Sequence, residues 1–446
     1  MKILCVSLGC DKNLVDTEMM LGLLNRDGHT FTDDENEADI IVINTCCFIN
    51  DAKEESVNTI LEMAELKKTG KCKALIVTGC MAQRYKQEII DEIPEVDGIL
   101  GTSTYDEISN VLKQALGGEG HVSCFHDLNA LPEVETSRII TTGGHYAFLK
   151  IAEGCDKHCT YCIIPSLRGN YRSVPMERLL KEANELADQG VRELILVAQE
   201  TTLYGVDLYG KKMLPELLHK LAEIPGIYWI RIQYCYPEEI TDELIEAIRT
   251  EEKVCHYLDV PIQHASDRIL KRMGRRTNQK QLREMIASLR SQIPDIALRT
   301  TLISGFPGET EEDQEEVMRF VDEMEFERLG VFAYSQEEDT PAAEFPDQVP
   351  QELKEERRDE IMELQQEISY EKSQSMIGKV LEVMIEGKVA DENAYVGRTY
   401  MDAPGVDGLI FINTDLDLMS GDFVRAKVTG ALEYDLIGEI CDEPAQ

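Results

Sequence analysis

The chain has 446 residues, 43% of them hydrophobic and 29% charged, and its formal net charge is -39 at pH 7. That length holds two to four domains with ample core, and no apolar run approaches the roughly 18 residues of a transmembrane helix. So acidic a surface repels polyanions and disfavours direct nucleic-acid binding; it suits a basic macromolecular partner, although acidity also serves solubility alone.

Residues 1–117 alternate short apolar runs with amphipathic segments. Ile3 to Leu8, Asp39 to Asn44 and Ala74 to Thr78 read as buried parallel strands, and Leu14 to Arg26, Ala52 to Lys68, Gln83 to Glu92 and Tyr105 to Leu116 as helices. The pattern predicts an open α/β sheet, whose ligands gather beyond the carboxyl ends of the strands. Each predicted strand is followed at once by a cysteine: Cys10, Cys46 and Cys80. Three thiolates distant in sequence would then meet on one rim, one short of a full cluster ligand set. Cys47 beside Cys46 should point the other way, because successive residues of an extended segment alternate. Leu8-Gly9-Cys10 has the look of a lipoprotein cleavage site. The apolar run before it is shorter than a signal core of about 7 to 15 residues, so a first strand and a cytoplasmic protein are expected.

Residues 118–140, with Gly117-Gly118-Glu119-Gly120 and the polar stretch Pro132 to Ser137, read as a linker. Between 141 and 374 six apolar segments alternate with helices. The strands are Tyr146 to Ile151, Glu193 to Ala198, Tyr228 to Gln233, Tyr257 to Ile262, Ala297 to Ile303 and Gly330 to Tyr334. The intervening helices include Met176 to Gln189, Leu214 to Ile224, Pro237 to Thr250, Gln279 to Gln292 and Glu311 to Glu325. Repeated βα units predict a parallel sheet closing toward a TIM-like (βα)6 partial barrel, with its site at the strands' carboxyl ends. Gln199, Glu200, Gln233, Gln263 and Arg299 collect there. His264 reads as a positioning or structural residue, and Gly305 to Thr310 as a tight strand-to-helix turn, since no Gly-Lys-Ser/Thr follows. A long polar helix, Gln351 to about Met376, leads into residues 375–441. There Val380 to Ile385, Ala394 to Tyr400, Leu409 to Ile412, Asp422 to Thr429 and Tyr434 to Ile440 predict a small antiparallel β-barrel of the oligonucleotide-binding shape.

Thirteen cysteines, an odd number with close spacings, favour metal or redox roles over disulfides. The densest group is Cys155-Asp156-Lys157-His158-Cys159-Thr160-Tyr161-Cys162. Its C-x3-C-x2-C spacing puts three thiolates in one loop, enough for three corners of a cubane cluster. Electron carriers normally take four cysteines, so a bound reactant is the candidate for the last position. A zinc knuckle is the alternative, but zinc wants four closed ligands, and His158 has no matching pair downstream. The other cysteines, Cys5, Cys47, Cys72, Cys124, Cys235, Cys255 and Cys441, are expected as ordinary buried thiols.

This loop resembles the signature of the radical S-adenosylmethionine superfamily. The resemblance implies that S-adenosylmethionine chelates the open iron and yields a 5'-deoxyadenosyl radical, with Tyr161 near the adenine and the Gln199-Glu200 segment near the methionine amine. Arg299 is then a candidate for the methionine carboxylate, or else an ordinary ion pair. With three N-terminal cysteines and a small terminal barrel, called TRAM, the whole chain resembles the methylthiotransferases. That likeness implies two 4Fe-4S clusters, the second held by Cys10, Cys46 and Cys80, with S-adenosylmethionine as methyl donor and radical source. It also implies a sulfur donor and a low-potential electron donor as partners.

The substrate choice lies between tRNA adenosine and a ribosomal-protein aspartate. From Lys372 to Gln446 there are six Lys/Arg against fourteen Asp/Glu, a balance that repels RNA. Ser7-Leu8-Gly9-Cys10-Asp11-Lys12-Asn13-Leu14-Val15-Asp16 and Cys162-Ile163-Ile164-Pro165-Ser166-Leu167-Arg168-Gly169 likewise resemble the aspartate-directed branch. The expected reaction is β-methylthiolation of an aspartate in the basic small-subunit ribosomal protein S-twelve, with tRNA adenosine as the alternative.

Overall fold

The computed structural model describes residues 1–441 other than 119, 133, 135, 136, 391 and 392. Its N-terminal unit is a six-stranded sheet in the order Thr30–Phe31, Lys2–Ser7, Ile40–Thr45, Ala74–Gly79, Gly98–Leu100, Val122–Cys124, parallel throughout. Ile40–Thr45 and Ala74–Gly79 are buried at every position, as expected of strands covered on both faces. The three strands that the sequence reading missed have two or three residues each, too few to show a period. One of them, Val122–Cys124, comes from the stretch expected to be a linker and forms the sheet's far edge. Residues 119, 133, 135 and 136 of that stretch lie outside the described residues. The helix expected over Gln83 to Glu92 is two helices, Cys80–Tyr85 and Gln87–Glu92, broken at Lys86, whose φ is +45°.

The central unit is a parallel sheet in the order Arg328–Ala333, Ala297–Ser304, Val254–Asp259, Trp229–Ile232, Glu193–Val197, Tyr146–Lys150. Its first and last strands do not pair with each other, which leaves the barrel partial. The fourth strand in chain order is Val254–Asp259, three residues earlier than expected. Pro261 has no N–H to give a ladder, so Pro261 to His264 run on as loop beyond the strand, and Gln263 takes a left-handed φ of +72°. A two-stranded hairpin, Ala152–Glu153 against Arg172–Ser173, clasps the cysteine loop at its base.

The helix Gln351–Ser375 crosses to a closed barrel of Val380–Lys388, Ala394–Arg398, Ile410–Asn413, Phe423–Ala431 and Leu436–Ile440. Not every pair in it is antiparallel, since Ile410–Asn413 and Leu436–Ile440 run parallel. Parity requires this, because five strands in a closed ring cannot alternate direction all the way round. The barrel packs against the amino ends of the central strands, where Trp229, Cys255, Tyr257 and Ala297 share its core. That leaves the carboxyl ends to the N-terminal unit.

Glu193, the first residue of its strand, is fully buried between two arginines. Its carboxylate accepts from Arg231 Nε at 2.7 Å and from Arg398 of the barrel at 2.7 Å. Removing one partner of a buried ionic group costs about 3–5 kcal/mol. Glu193→Ala is therefore expected to lower the thermal midpoint and expose the barrel to limited proteolysis before the rest of the chain; unchanged cleavage would show that the triad does not hold the barrel.

Candidate metal centres

The first rim cysteine, Cys10, caps the helix Asp11–Arg26. Gly9 before it has φ +88°, and a Cβ there would lie 2.6 Å from Cys46 Cβ and 2.8 Å from its Sγ. Glycine lets the first turn close on the second. Cys80 opens the helix Cys80–Tyr85 after Gly79, whose φ is +91° and whose Cβ would meet Asn44 Oδ1 at 2.2 Å. Two asparagines lace these turns together: Asn13 Nδ2 donates to the carbonyls of Leu8 and Thr45, both at 3.0 Å, and Asn44 Nδ2 donates to the Asn13 carbonyl at 2.8 Å. Asn13 Oδ1 lies 3.9 Å from Cys80 Sγ. Burial pushes the Cys46 thiol up to about 12, with Cys80 and Cys10 adding to the effect, so the three sulfurs share one electrostatic neighbourhood. Cys47 packs in a core cluster that also holds Cys80, and its thiol is raised by burial and by Cys80, with Arg84 acting the other way.

In the other loop, Cys155 and Cys159 are buried and Cys162 is half-buried. Cys155 N–H donates to the Gly169 carbonyl at 3.1 Å, Thr160 N–H to the Met273 carbonyl at 2.9 Å, and Ala342 N–H to the Thr160 carbonyl at 2.8 Å. Cys159 Sγ lies 3.6 Å from the Tyr236 hydroxyl. Burial pushes the Cys155 thiol up to about 11, and Cys159 and Glu200 act in the same direction. Tyr161 stands edge-on to Phe306, ring centres 6.4 Å apart. Lys157 is held by Glu239 at 2.5 Å and Glu238 at 3.1 Å.

At the neighbouring strand ends three buried acceptors have no hydrogen-bond partner among the described residues, Gln199 Oε1, Glu200 Oε2 and Gln233 Oε1, although the Lys157 ammonium lies 3.8 Å from Glu200 Oε2. Glu200 Oε1 accepts from Thr202 N–H at 2.9 Å, and burial raises the carboxyl to about 7. Gln263 is half-buried on its left-handed turn. Arg299 is taken up elsewhere: Asp259 holds it at 2.9 Å and Asp407 of the barrel at 3.3 Å. The ion-pair alternative therefore suits it better than a methionine carboxylate. His264 is structural, its Nδ1 accepting from Ser266 N–H at 2.9 Å. Cys441 is exposed and Cys5 and Cys124 are half-buried, contrary to the buried thiols expected there.

Sequence reasoning did not foresee the residues that join the two cysteine sets. Arg168 follows Cys162 by six positions and is buried. It donates to Asp16 at 2.8 Å, to Glu153 at 3.1 Å and to Asn13 Oδ1, and the thiols of Cys80 and Cys10 act on its charge. Lys150 donates to Asp16 and, at 2.8 Å, to Glu153. Glu153 also accepts from Gln199 Nε2 at 2.9 Å. Burial alone would raise the Glu153 carboxyl, but Arg168 and Lys150 outweigh it and hold it far below the usual range. The only advance signal was that Asp16 and Arg168 fall inside the two quoted motifs; Lys150 and Glu153 lie outside both.

The donor sets fit iron-sulfur clusters. Among the described residues no three His, Cys, Asp or Glu side chains gather closely enough to share one metal ion. The unpartnered acceptors at the strand ends suit a cationic ligand such as an ammonium group. In Gly79→Ala the new methyl would strike Asn44 and force a left-handed φ on alanine, at about 1–2 kcal/mol for the backbone alone. The variant is expected to lose the iron of the Cys10, Cys46, Cys80 set and keep that of the C-x3-C-x2-C loop, as iron analysis with electron paramagnetic resonance would record.

Comparison with known proteins agrees along the whole length. Residues 2–101 match the uncharacterized protein family UPF0004, residues 149–321 the radical SAM superfamily and residues 377–441 the TRAM domain. A ribosomal protein uS12 methylthiotransferase RimO from Lachnoclostridium phytofermentans is 66% identical over 438 residues, 98% of this chain and 99% of that one. The protein of the same name from Clostridioides difficile is 50% identical over 445 residues and 100% of both. In fold, the chain is similar to the radical S-adenosylmethionine methyltransferase TsrM from Kitasatospora setae, with a TM-score of 0.54 at 13% identity over 76% of each chain. From the two laced cysteine sets and this full-length identity, the chain belongs to the RimO family of radical SAM methylthiotransferases.

Proposed function

We propose that the protein adds a methylthio group to the β-carbon of an aspartate in ribosomal protein uS12. The observation that carries this reading is the Arg168 junction, where the helix leaving one cysteine loop reaches the rim that bears the other set. Full-length relatives named for the same activity support it. So does the acidity of the chain, which suits a basic ribosomal protein and disfavours RNA.

In this reading Cys155, Cys159 and Cys162 hold one 4Fe-4S cluster and Cys10, Cys46 and Cys80 the other. Together with S-adenosylmethionine these groups supply one-electron cleavage and a sulfur to be methylated and transferred. The chain's own side chains bind and orient. Gln199 Oε1, Glu200 Oε2 and Gln233 Oε1 are open acceptors for the methionine ammonium, and Tyr161 offers an aromatic edge to the adenine. Gln263 borders the same strand ends. Arg168, Lys150, Asp16 and Glu153 fix the distance between the two sets by charge pairing. No side chain is needed as a general acid or base for hydrogen abstraction. A sulfur donor and a low-potential electron donor complete the system, and action on a ribosomal protein supports a cytoplasmic location. No helix among the described residues is long and apolar enough to cross a membrane.

Two anaerobic assays separate the roles. Replacing Cys155, Cys159 or Cys162 by Ala is expected to abolish deoxyadenosine release, whereas Cys10→Ala, Cys46→Ala or Cys80→Ala should keep that release and lose methylthiolated product. Unimpaired product from Cys80→Ala would remove the second site. Mass spectrometry of uS12 after incubation should find the modified aspartate; methylthiolated adenosine in tRNA would replace the substrate.

A further inference from the structure

An aspartate bound for reaction at its β-carbon brings an ionised carboxylate one bond from the reacting atom. Out of water that charge needs a cation not already neutralised. Most buried cations of the described chain are committed to carboxylates: Arg168 and Lys150 to Asp16 and Glu153, Lys157 to Glu238 and Glu239. Three make no ion pair within 4 Å among the described residues: Lys12, Arg275 and Lys354, although Asp11 acts on Lys12 and Glu238 on Arg275 from further off. Lys354 donates to the Tyr334 carbonyl at 2.9 Å, under the long helix. Arg275 donates to the Pro261 carbonyl at 2.8 Å and stacks over Tyr236 at 4.4 Å; Tyr236 contacts Cys159, which puts Arg275 on the C-x3-C-x2-C side.

Lys12 spans the seam between the N-terminal unit and the central strand ends. It is 5% exposed, two residues past Cys10, and its ammonium lies 3.4 Å above the centre of the Tyr234 ring. Tyr234 directly follows Gln233. It reaches back to the N-terminal unit, its hydroxyl donating to Asp11 at 3.1 Å, from a left-handed backbone with φ +61°. That conformation is held by its N–H donating to Asp259 at 2.9 Å and its carbonyl accepting from Thr201 N–H at 3.1 Å. Lysine in the first turn of a sixteen-residue helix opposes the helix dipole, and burial weighs against its charge, while Asp11 and Cys10 nearby act in its favour without an ion pair to either. Both penalties are relieved by an incoming anion, and non-glycine residues in strained φ cluster at ligand sites.

We propose that Lys12, seated on the Tyr234 ring, binds the side-chain carboxylate of the substrate aspartate and so sets its β-carbon between the two cysteine sets. This rests on the functional reading above. Lys12 is a specificity residue for an acidic side chain, and lysine's compact charge leaves the carboxylate free to turn.

The test is equilibrium binding of uS12 and of uS12 with asparagine at the modified position, by fluorescence anisotropy with the cluster-loaded enzyme. A charge-assisted contact predicts that the wild type prefers the aspartate form by roughly tenfold or more. Lys12→Met should bind both forms alike, and Lys12→Arg should keep a preference. Lys12→Gln serves if the Met variant does not fold. A wild type without the preference, or a neutral variant that retains it, overturns the assignment. Absence of methylthiolated aspartate from wild-type reactions would instead overturn the functional reading on which it stands.

Discussion

A four-membered charge cluster at the seam of two sheets governs the architecture. Asp16 comes from the helix after the first N-terminal strand; Lys150, Glu153 and Arg168 come from the start of the central unit. All four are buried, so each charge relies on its partners to offset the cost of leaving water. Two positive and two negative groups close the balance, and hydrogen bonds to Asn13 and Gln199 extend it in both directions. A chain that loses this pairing has no reason to hold its cysteine sets at a fixed separation.

The remaining geometry follows from that seam. Parallel sheets present their loops at the carboxyl ends, and here two such ends face each other, one carrying a cysteine after each of three strands, the other carrying the clasped cysteine loop. The small barrel is attached at the opposite end by Glu193, Arg231 and Arg398 and by a shared apolar core. It therefore leaves the junction clear. Arg299 illustrates the division: it spends its charge on Asp259 and the barrel's Asp407, and so supports the assembly instead of a ligand.

Polar groups without partners are costly inside proteins, and their concentration at the strand ends is the counterpart of the closed charge cluster. Gln199, Glu200 and Gln233 each keep one acceptor without a hydrogen bond among the described residues, and Lys12 keeps an ammonium over a ring with no ion pair. Satisfied groups build the frame; unsatisfied ones mark where small molecules and side chains are received.

Much of this was readable in the linear chain. Both cysteine spacings, the alternation of apolar runs with amphipathic helices and the short terminal strands are local patterns, set by side-chain period and by ligand chemistry, so they survive without coordinates. Strands of two or three residues, such as Gly98–Leu100 and Val122–Cys124, carry too little period to be seen, and the fourth central strand was misplaced because Pro261 ends it earlier than its apolar run suggests. What only the tertiary structure decided is which charges meet. Asp16 and Arg168 are 152 positions apart, Lys12 and Tyr234 are further apart still, and a Coulomb interaction depends on distance in space and on burial, neither of which a sequence states.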